Sequence, residues 1–340
     1  MRVIVITMIP SPYQVELFDR LAVDDRIALQ VVYRTHRDEG REWASPSLCH
    51  QASFVDVPTW SRERSRERMA KADLVVLGDY QSVTMRRLMR TRQENRRPWC
   101  FWGERPGFRY SGFLGRWYRR FMLWPLYRSQ TPIWGIGRWA IEGYKREFGS
   151  QRPYFNIPYF SNLERFAGAS RSPPYGDPQC RRFLYSGTLS KRKGVDVLAR
   201  AFRRVARSQP NITLDVVGNG PLRESVERVL DPVADRVTFH GFQQWEEMPA
   251  FYAAADVLCA PSRYDGWGLI VPEGLAAGLP VIATRRMGAA IDLIKPEENG
   301  WRIAEDSVSA LAQVIENVAT MPRSSRSEER RVGKECIVKC

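Results

Sequence analysis

Short apolar runs alternate with helix-like segments along this chain, and the whole alternation occurs twice. In the first half, the apolar runs that we predict as strands are Arg2 to Met8, Ile27 to Tyr33, Asp73 to Gly78, Pro98 to Trp102 and Ile133 to Gly137. The helices predicted between them are Tyr13 to Ala22, Gln81 to Gln93 and Arg138 to Phe148. Strands that alternate with helices predict a parallel sheet covered on both faces.

The second series has the same character. Its predicted strands are Arg182 to Gly187, Ile212 to Gly218, Arg236 to Gly241, Asp256 to Pro261 and Pro280 to Ala283, and its helices lie near 194–208, 221–230, 245–254, 268–277 and 306–321. A chain of 340 residues also suits two domains of roughly 150 residues each. We therefore predict an α/β protein with two doubly wound, Rossmann-like domains.

The domain boundaries follow from where these patterns stop. We predict a first domain at 1–160, a linker at 161–180, a second domain at 181–321 and an irregular basic tail at 322–340. The linker is rich in turn-forming residues, namely Pro173, Pro174, Gly176 and Pro178. The tail loses all helical periodicity.

The net charge of +14 is unevenly distributed along the chain. Residues 61–130 hold 17 Arg and Lys against 6 acidic residues, and residues 322–340 hold 6 against 3. A basic patch confined to one domain indicates an anionic partner such as a phospholipid or a diphosphate-linked substrate, although nucleic acid would give the same signature. An arginine-rich solvated surface without any partner explains it equally well.

Cysteine usage and hydropathy bear on where the chain works. The six cysteines form no C-x-x-C pair, which argues against a zinc site or a disulfide framework. The opening run Arg2 to Ile9 lacks the features of an export signal, and we find no uncharged apolar stretch of about 18 residues. These features favour a cytoplasmic protein.

The strongest chemical signal lies between Pro261 and Ala283, in the string PSRYDGWGLIVPEGLAAGLPVIA. Asp265 lies in the loop after an apolar strand, and Glu273 lies in the first turns of the next helix. The two acids bracket a glycine loop at a helix N-terminus, an arrangement suited to phosphate oxygens and sugar hydroxyls. A helix-capping acid and a tight turn would explain either residue alone, but not the whole string.

A second signal lies in FLYSGTLSKRKGVD, from Phe183 to Asp196. A strand ends in glycine, and three basic residues, Lys191, Arg192 and Lys193, stand at the entrance to the next helix. Basic side chains at a helix N-terminus oppose the helix dipole, so this cluster indicates a bound anion. The Lys193 ammonium is suited to neutralising a leaving diphosphate.

These two strings, with VGNGP at 217–221 and VTFHGF at 237–242 between them, resemble the C-terminal domain of glycosyltransferase family 4. The resemblance implies retaining enzymes of GT-B fold, in which two Rossmann-like domains face each other across a cleft. It implies that Lys193 contacts the donor phosphates, Glu273 the ribose hydroxyls and Asp265 the transferred sugar. The backbone of Gly268 and Leu269 would then hold the diphosphate, and Phe242 would lie beside the nucleobase. The remaining donor-binding candidates are Gly187, Thr188, Arg192, Gly218, Asn219, Gly266 and Trp267.

The chain departs from the family pattern in three places. Thr188 stands where the family commonly has an arginine, and Asp265 is one methylene shorter than the usual glutamate. The family's closing helix, which crosses back onto the first domain, is replaced by the tail after Met321. These departures put the strength of the phosphate clamp, the identity of the sugar and domain closure in question.

The sequence also bears on metals, acceptors and rival functions. There is no Asp-x-Asp motif, and His36, His50 and His240 are not spaced as ligands, so we expect no metal or other cofactor. A nicotinamide-dependent oxidoreductase is disfavoured because the first turn lacks the pattern G-x-G-x-x-G. A sugar phosphorylase of the same fold and a nucleic-acid-binding protein stay open as alternatives.

The predicted partners are a nucleotide-sugar donor and a saccharide or lipid-linked acceptor, in cell-surface polysaccharide or glycolipid synthesis. We do not expect nucleic acid among them. The segment from Phe113 to Tyr127 mixes aromatic residues with arginines. It is either a membrane-surface helix beside a lipid-linked acceptor or a core helix whose arginines reach out to solvent.

Overall fold

The computed structural model describes residues 1–36, 43–44, 46–55, 69, 71–78, 83–106, 112–168 and 180–321. The chain divides into two compact units, Met1–Ser161 and Asn162–Cys340. The predicted tail at 322–340 lies outside the described residues, as does most of the predicted linker. Within that linker, the helix Glu164–Ala167 packs against helices of the second unit. The start of the predicted linker is therefore part of that unit.

The first unit is built on a parallel sheet in which the strand order is β3-β2-β1-β4-β5-β6-β7. Its strands are β1 (Arg2–Thr7), β2 (Ala28–Tyr33), β3 (Gln51–Phe54), β4 (Leu74–Leu77), β5 (Trp99–Gly103), β6 (Ile133–Gly135) and β7 (Tyr154–Asn156). Helices in the described part are α1 (Pro12–Ala22), α2 (Val83–Glu94), α3 (Gly112–Met122), α4 (Trp124–Tyr127) and α5 (Arg138–Phe148). Apolar side chains of β1, β4, β5 and β6 pack with α2, α4 and α5 in one core.

The second unit repeats this plan with the strand order β10-β9-β8-β11-β12-β13, again all parallel. The strands are β8 (Arg181–Ser186), β9 (Ile212–Val217), β10 (Val237–Gly241), β11 (Val257–Ala260), β12 (Val281–Thr284) and β13 (Gly300–Ile303). The helices are α6 (Glu164–Ala167), α7 (Val195–Ala206), α8 (Arg223–Leu230), α9 (Met248–Ala254), α10 (Ile270–Ala276), α11 (Gly288–Leu293) and α12 (Val308–Thr320), with 3-10 turns at Lys191–Lys193 and Asp231–Arg236. The predicted pair of doubly wound α/β domains is thus confirmed.

The packing of α7 shows why the second sheet is well covered. Its apolar residues recur at helical spacing and are buried against β8, β9 and α12, with Leu198 and Phe202 at most 1% exposed. Burying each such side chain contributes roughly 1.5–3 kcal/mol to folding. This core fixes β8, and therefore the turn that follows β8.

The strand order of the second unit positions the candidate site. Strand β8 lies in the middle of the sheet, and the chain runs outward from β8 to β9 and β10 before returning to β11 on the other side. The loops that follow β8 and β11 therefore leave the same edge of the sheet in opposite directions. Ligands of doubly wound sheets bind at such a switch point.

Five short strands and α-helices escaped the sequence prediction: β3, β7, β13, α6 and α11. The three strands have only three or four residues and are largely half-exposed, so they lack the continuous apolar run that marks a buried strand. Helix α11 has six residues, too few to display a helical period.

Candidate functional site

The turn after β8 is shaped by close packing against the loop after β11. Gly194 follows the 3-10 turn Lys191–Lys193 and has φ +71°, in the left-handed region. A Cβ on Gly194 would lie 2.0 Å from the carbonyl oxygen of Pro261. Only glycine allows both this backbone conformation and this approach. The packing brings the basic turn beside the loop that carries Asp265.

Lys193 and Asp265 form an ion pair at the centre of the candidate site. The Lys193 Nζ lies 2.5 Å from Asp265 Oδ2, and Arg192 Nη1 lies 4.0 Å from the same oxygen. Both side chains of the close pair are largely buried, at 18% and 13% exposed. The basic cluster, which the sequence led us to assign to a bound anion, thus has an internal counter-charge in Asp265.

Arg263, in the loop after β11, is hydrogen-bonded to the turn after β8. Its guanidinium donates to both carboxylate oxygens of Asp196, at 2.7 and 2.8 Å, and to the Lys191 carbonyl oxygen at 2.5 Å. Its backbone N–H donates to the Arg192 carbonyl at 2.9 Å. Hydrogen bonds to Asp196 raise the pKa of Arg263, so the clamp is charged at any working pH. The basic turn is held in register with Asp265 by these bonds.

Gly268 and Leu269 connect Asp265 to helix α10. Gly268 has φ +87°, and a Cβ there would lie 2.5 Å from Met287 Cε and 3.5 Å from Asp265 Cγ. Among the described residues, the N–H groups of Gly268 and Leu269 donate to no protein acceptor. A backbone N–H without a protein partner is available to a ligand oxygen. The loop that begins at Asp265 therefore carries two available donors.

Glu273 is buried in helix α10, with 3% of the residue exposed. The Tyr252 hydroxyl donates to Glu273 Oε2 at 2.8 Å. Burial raises the pKa of Glu273 to about 7, while the Tyr252 hydrogen bond and the charges of Arg165 and Lys193 oppose this rise. Burial therefore brings the pKa of Glu273 close to neutral pH.

The remaining candidates lie in turns that follow β8, β9 and β10. A Cβ on Gly218 would lie 2.1 Å from the carbonyl oxygen of Gly187, so these two turns touch through backbone alone. The Leu189 N–H donates to the Asn219 carbonyl at 2.8 Å, and the Gly218 N–H donates to the Gly241 carbonyl at 2.7 Å. The exposed Thr188 and Asn219 and the half-buried Phe242 thus border one group of turns.

Buried Tyr185 joins this group of turns to the Lys193–Asp265 pair. Its hydroxyl donates to the Thr188 carbonyl oxygen at 2.9 Å, and its pKa is raised by burial, with smaller effects from the charges of Arg192 and Asp265. Trp267 behaves differently from the other candidates because its ring is only 4% exposed and packs near Gly288. Its indole N–H has no hydrogen-bond partner in the described part of the chain.

Several residues that build the site were not predicted as site residues. Tyr252 acts on Glu273 from helix α9, 21 residues earlier, and Met287 covers Gly268 from the loop after β12. No local motif marks either residue. Arg263 belongs to the string that signalled the site, yet its partner Asp196 is 67 residues away. The only sequence signal for Arg263 was its position, as a charged residue just before the glycine loop.

An open groove of about 690 Å³ lies in the first unit, and none of these candidates lines it. Its lining includes Leu74, Trp99 and Pro132, at the amino ends of β4, β5 and β6, together with Trp134 and Phe155. Parallel sheets bind ligands at their carboxyl edge, so this groove does not resemble a nucleotide site of this fold. No group of three or more potential metal-ligating side chains occurs within the described residues.

Comparison with known protein families finds a match in the second half of the chain. Residues 180–320 match the family described as Glycosyl transferases group 1. A GDP-mannose-dependent alpha-(1-6)-phosphatidylinositol monomannoside mannosyltransferase of Mycolicibacterium smegmatis is 28% identical over 202 residues, which are 55% of this chain and 53% of that protein. A glycogen synthase of Mycobacterium tuberculosis is 29% identical over 168 residues, covering 49% of this chain and 40% of that protein. The chain therefore spans about half the length of the first relative and less of the second.

Solved structures resemble the whole chain at low sequence identity. HepE of Anabaena in complex with UDP has a TM-score of 0.78 and 14% identity, covering 100% of this chain and 95% of that one. WaaG, a glycosyltransferase of lipopolysaccharide biosynthesis, has a TM-score of 0.67 and 18% identity, covering 99% of this chain and 95% of that one. These likenesses confirm the GT-B fold predicted from the sequence.

Proposed function

We propose that this chain is a retaining glycosyltransferase of family 4 that transfers a sugar from a nucleotide diphosphate donor to a saccharide or lipid-linked acceptor. One observation carries the proposal: at the switch point of the second sheet the Lys193 ammonium pairs with Asp265, and the loop of Asp265 continues into Gly268 and Leu269, whose N–H groups have no acceptor among the described residues. An ammonium with adjacent amide donors suits a diphosphate, and a neighbouring carboxylate suits a sugar hydroxyl.

Charge on the leaving diphosphate dominates the proposed reaction. The bond between the anomeric carbon and the donor phosphate oxygen breaks, and the acceptor oxygen bonds to the same face of that carbon. The acceptor proton passes to a phosphate oxygen of the departing nucleotide. Because negative charge builds on the diphosphate in the transition state, Lys193 and the loop amides stabilise the transition state more than the ground state.

Asp265 has two successive roles in this proposal. Without donor it is the counter-ion of Lys193, at 2.5 Å. When the diphosphate arrives, its charges compete for the ammonium, and the Asp265 carboxylate becomes available to accept from a hydroxyl of the transferred sugar. Glu273 accepts from the ribose hydroxyls in its ionised form, with Tyr252 holding the carboxylate in place.

The similar proteins guide the choice of donor and acceptor. The mycolicibacterial relative is named for GDP-mannose and a phosphatidylinositol mannoside, and HepE was solved with UDP. We therefore propose GDP- and UDP-sugars as the first donors to test and a lipid-linked saccharide as the acceptor. The sugar phosphorylase and nucleic-acid alternatives are not favoured by these comparisons.

Three further properties belong to the proposal. Transfer needs no metal or cofactor because the ammonium and the amides neutralise the diphosphate. The protein works in the cytoplasm, and it contacts the anionic inner face of the membrane peripherally. No helix in the described residues has the length and apolarity needed to cross a bilayer.

Nucleotide release tests the proposal without knowledge of the acceptor. The full chain is incubated with UDP-, GDP- and ADP-sugars in excess chelator, and free nucleoside diphosphate and the anomer of the sugar product are measured. We expect slow hydrolysis of one donor with retained configuration, and faster release when a lipid-linked saccharide is added. Absence of release from every donor, or release with inorganic phosphate as the preferred acceptor, would refute the proposed function.

A further inference from the structure

Helix α3 presents an unusual set of exposed aromatic and aliphatic side chains in the first unit. Phe113, Leu114, Trp117 and Phe121 are 74%, 83%, 60% and 75% exposed. At 100° per residue these four side chains fall within one third of the helix circumference. Large apolar residues exposed singly are common on protein surfaces, but a contiguous stripe of four marks an interaction site. Helix α3 therefore lies on the surface, whereas Leu123 and Leu126, later in the same predicted segment, lie in the core of the unit.

The opposite side of α3 anchors it to the rest of the unit. Gly115, Arg119 and Met122 are buried, and Arg119 Nη2 donates to Glu147 Oε2 of helix α5 at 3.1 Å. Met122 Sδ accepts from Arg86 Nη1 of helix α2 at 3.1 Å. These contacts hold the helix with its apolar stripe facing outward. The stripe therefore cannot turn towards the core without breaking them.

Arginines flank the stripe and reach across the neighbouring helices. Arg116 and Arg120 are exposed along one side of it. The Trp124 ring lies under two guanidinium groups, those of Arg90 at 5.0 Å and Arg128 at 5.2 Å. Across α2 (83–94) and residues 112–128 there are eight arginines and one acidic residue, Glu94. We call the exposed residues of this region, together with the half-buried Trp124, the aromatic–basic surface: Arg90, Phe113, Leu114, Arg116, Trp117, Arg120, Phe121, Trp124 and Arg128.

We propose that the aromatic–basic surface docks flat on an anionic phospholipid bilayer, with the stripe of α3 inserted among the headgroups and the arginines on lipid phosphates. An amphipathic helix with aromatic residues on one face and arginines beside it is suited to this interface. This inference builds on the proposed peripheral membrane contact and is independent of sugar transfer.

The positive charge and the apolar stripe of this surface together favour an anionic bilayer over nucleic acid or a protein partner. Nucleic acid would attract the arginines, but it offers no apolar layer in which to bury Leu114 and Phe121, two of the most exposed side chains of the stripe. A protein partner would need a complementary acidic and apolar face, whereas a bilayer supplies both features over an unlimited area. Arginines near such a surface each strengthen binding about fivefold.

Vesicle sedimentation of the full chain, without donor, tests the inference. Vesicles of phosphatidylcholine with 30% phosphatidylserine are compared with pure phosphatidylcholine at low and high salt. We expect binding to the anionic vesicles that weakens at high salt. The double variant Phe113→Ser/Phe121→Ser should bind at least tenfold more weakly at either salt concentration. Arg116→Gln/Arg120→Gln should lose binding chiefly at low salt.

Matched controls separate docking from folding. Val23→Ser/Phe160→Ser removes two other exposed apolar side chains of the same unit, 72% and 46% exposed, and should bind as the wild type does. Melting temperatures of all variants should agree because the substituted side chains are exposed. Unchanged vesicle binding of Phe113→Ser/Phe121→Ser, or equal loss in the control, would overturn the inference.

The remaining outcomes also decide between partners. A change of oligomeric state in Phe113→Ser/Phe121→Ser, without any effect on vesicles, would assign the surface to a second protein copy and overturn the inference. Wild-type binding to duplex DNA that anionic vesicles do not compete away would assign it to nucleic acid. Nucleotide release measured on the same variants should be unchanged with a water-soluble donor. Failed docking with intact release would thus leave the proposed function standing.

Discussion

The Lys193–Asp265 pair makes donor binding a competition at the level of single side chains. A diphosphate must draw the ammonium away from a carboxylate 2.5 Å distant. In Asp265→Asn this competitor loses its charge while the shape of the loop is retained. We expect the affinity for the bare nucleoside diphosphate to rise about fivefold, which corresponds to roughly 1 kcal/mol of lost competition from the ion pair.

Turnover of the nucleotide sugar should fall in the same variant, because the amide holds a sugar hydroxyl less well than the carboxylate does. Titration calorimetry with the diphosphate and steady-state assays with the nucleotide sugar measure the two effects. Weaker binding of the bare diphosphate would show that Asp265 supports the phosphate site and does not compete with it.

Glu273 gives a second test at this scale because burial raises its pKa from 4.5 to about 7. Between these two values the folded protein holds a proton that the unfolded chain releases, so the free energy of unfolding falls as pH rises through this window. Glu273→Gln removes the titration. We expect the variant to gain on the order of 3 kcal/mol relative to wild type between pH 4.5 and pH 8, measured by denaturant unfolding.

Donor affinity should show the opposite trend in the wild type. The ionised carboxylate is the stronger acceptor for hydroxyl groups, so affinity should rise as pH increases through about 7, and this dependence should vanish in Glu273→Gln. A variant that keeps the wild-type pH profile would mean that another group titrates.

At the level of elements, the turn between β8 and α7 depends on one close backbone approach. Gly194 and Gly241 have nearly the same φ, +71° and +70°, but a Cβ at Gly194 would meet the Pro261 carbonyl at 2.0 Å, whereas at Gly241 the nearest atom is 3.9 Å away. Gly241→Ala should cost about 1–2 kcal/mol through its backbone conformation alone. Gly194→Ala should cost about 3 kcal/mol more, because two loops must separate.

Urea unfolding of both variants measures the difference, and donor titration should show a loss of affinity only in Gly194→Ala. Equal destabilisation of the two variants would mean that the loops yield freely and that the close packing does not hold Lys193 in place.

The hydrogen bonds of Arg263 are the second interaction that holds these two loops together. Arg263→Met removes the bonds to Asp196 and Lys191 and should lower the free energy of unfolding by about 1–3 kcal/mol. Donor KM should rise more than kcat falls, since Arg263 positions Lys193 and does not contact the reacting atoms. Arg286→Met, whose pair with Glu305 is half-exposed, is the control and should stay within about 1 kcal/mol of wild type. Equal effects of both substitutions would contradict this positioning role.

The buried elements could be predicted from sequence because parallel strands leave a continuous apolar trace. Strands β11 and β12 are fully buried and stand out as such, whereas β7 has exposed residues and β13 has half-buried ones, and neither stands out. Sequence analysis could also predict several site residues, because each belongs to a short contiguous motif: the glycine turns, Lys193, Asp265 and Glu273. The Tyr252–Glu273 and Arg263–Asp196 contacts were not, because side chains 21 and 67 residues apart meet only through the topology.

For the whole molecule, the features divide between the two units. Every residue proposed to bind the donor lies between 187 and 273, in the second unit, while the aromatic–basic surface lies between 90 and 128 in the first. The charge along the sequence is divided in the same way, because most of the net charge of +14 lies at residues 61–130 of the first unit. Donor binding and membrane docking can thus be changed separately.

Titration calorimetry of the full chain with nucleotide sugars tests the central claim most directly. Lys193→Ala is compared with Lys191→Ala, an exposed lysine in the same turn. We predict that wild type binds at least one UDP- or GDP-sugar, that Lys193→Ala binds it about 30-fold more weakly, roughly 2 kcal/mol, and that Lys191→Ala stays within about threefold. Wild-type affinity in Lys193→Ala, or an equal loss in Lys191→Ala, would contradict a diphosphate site built around Lys193.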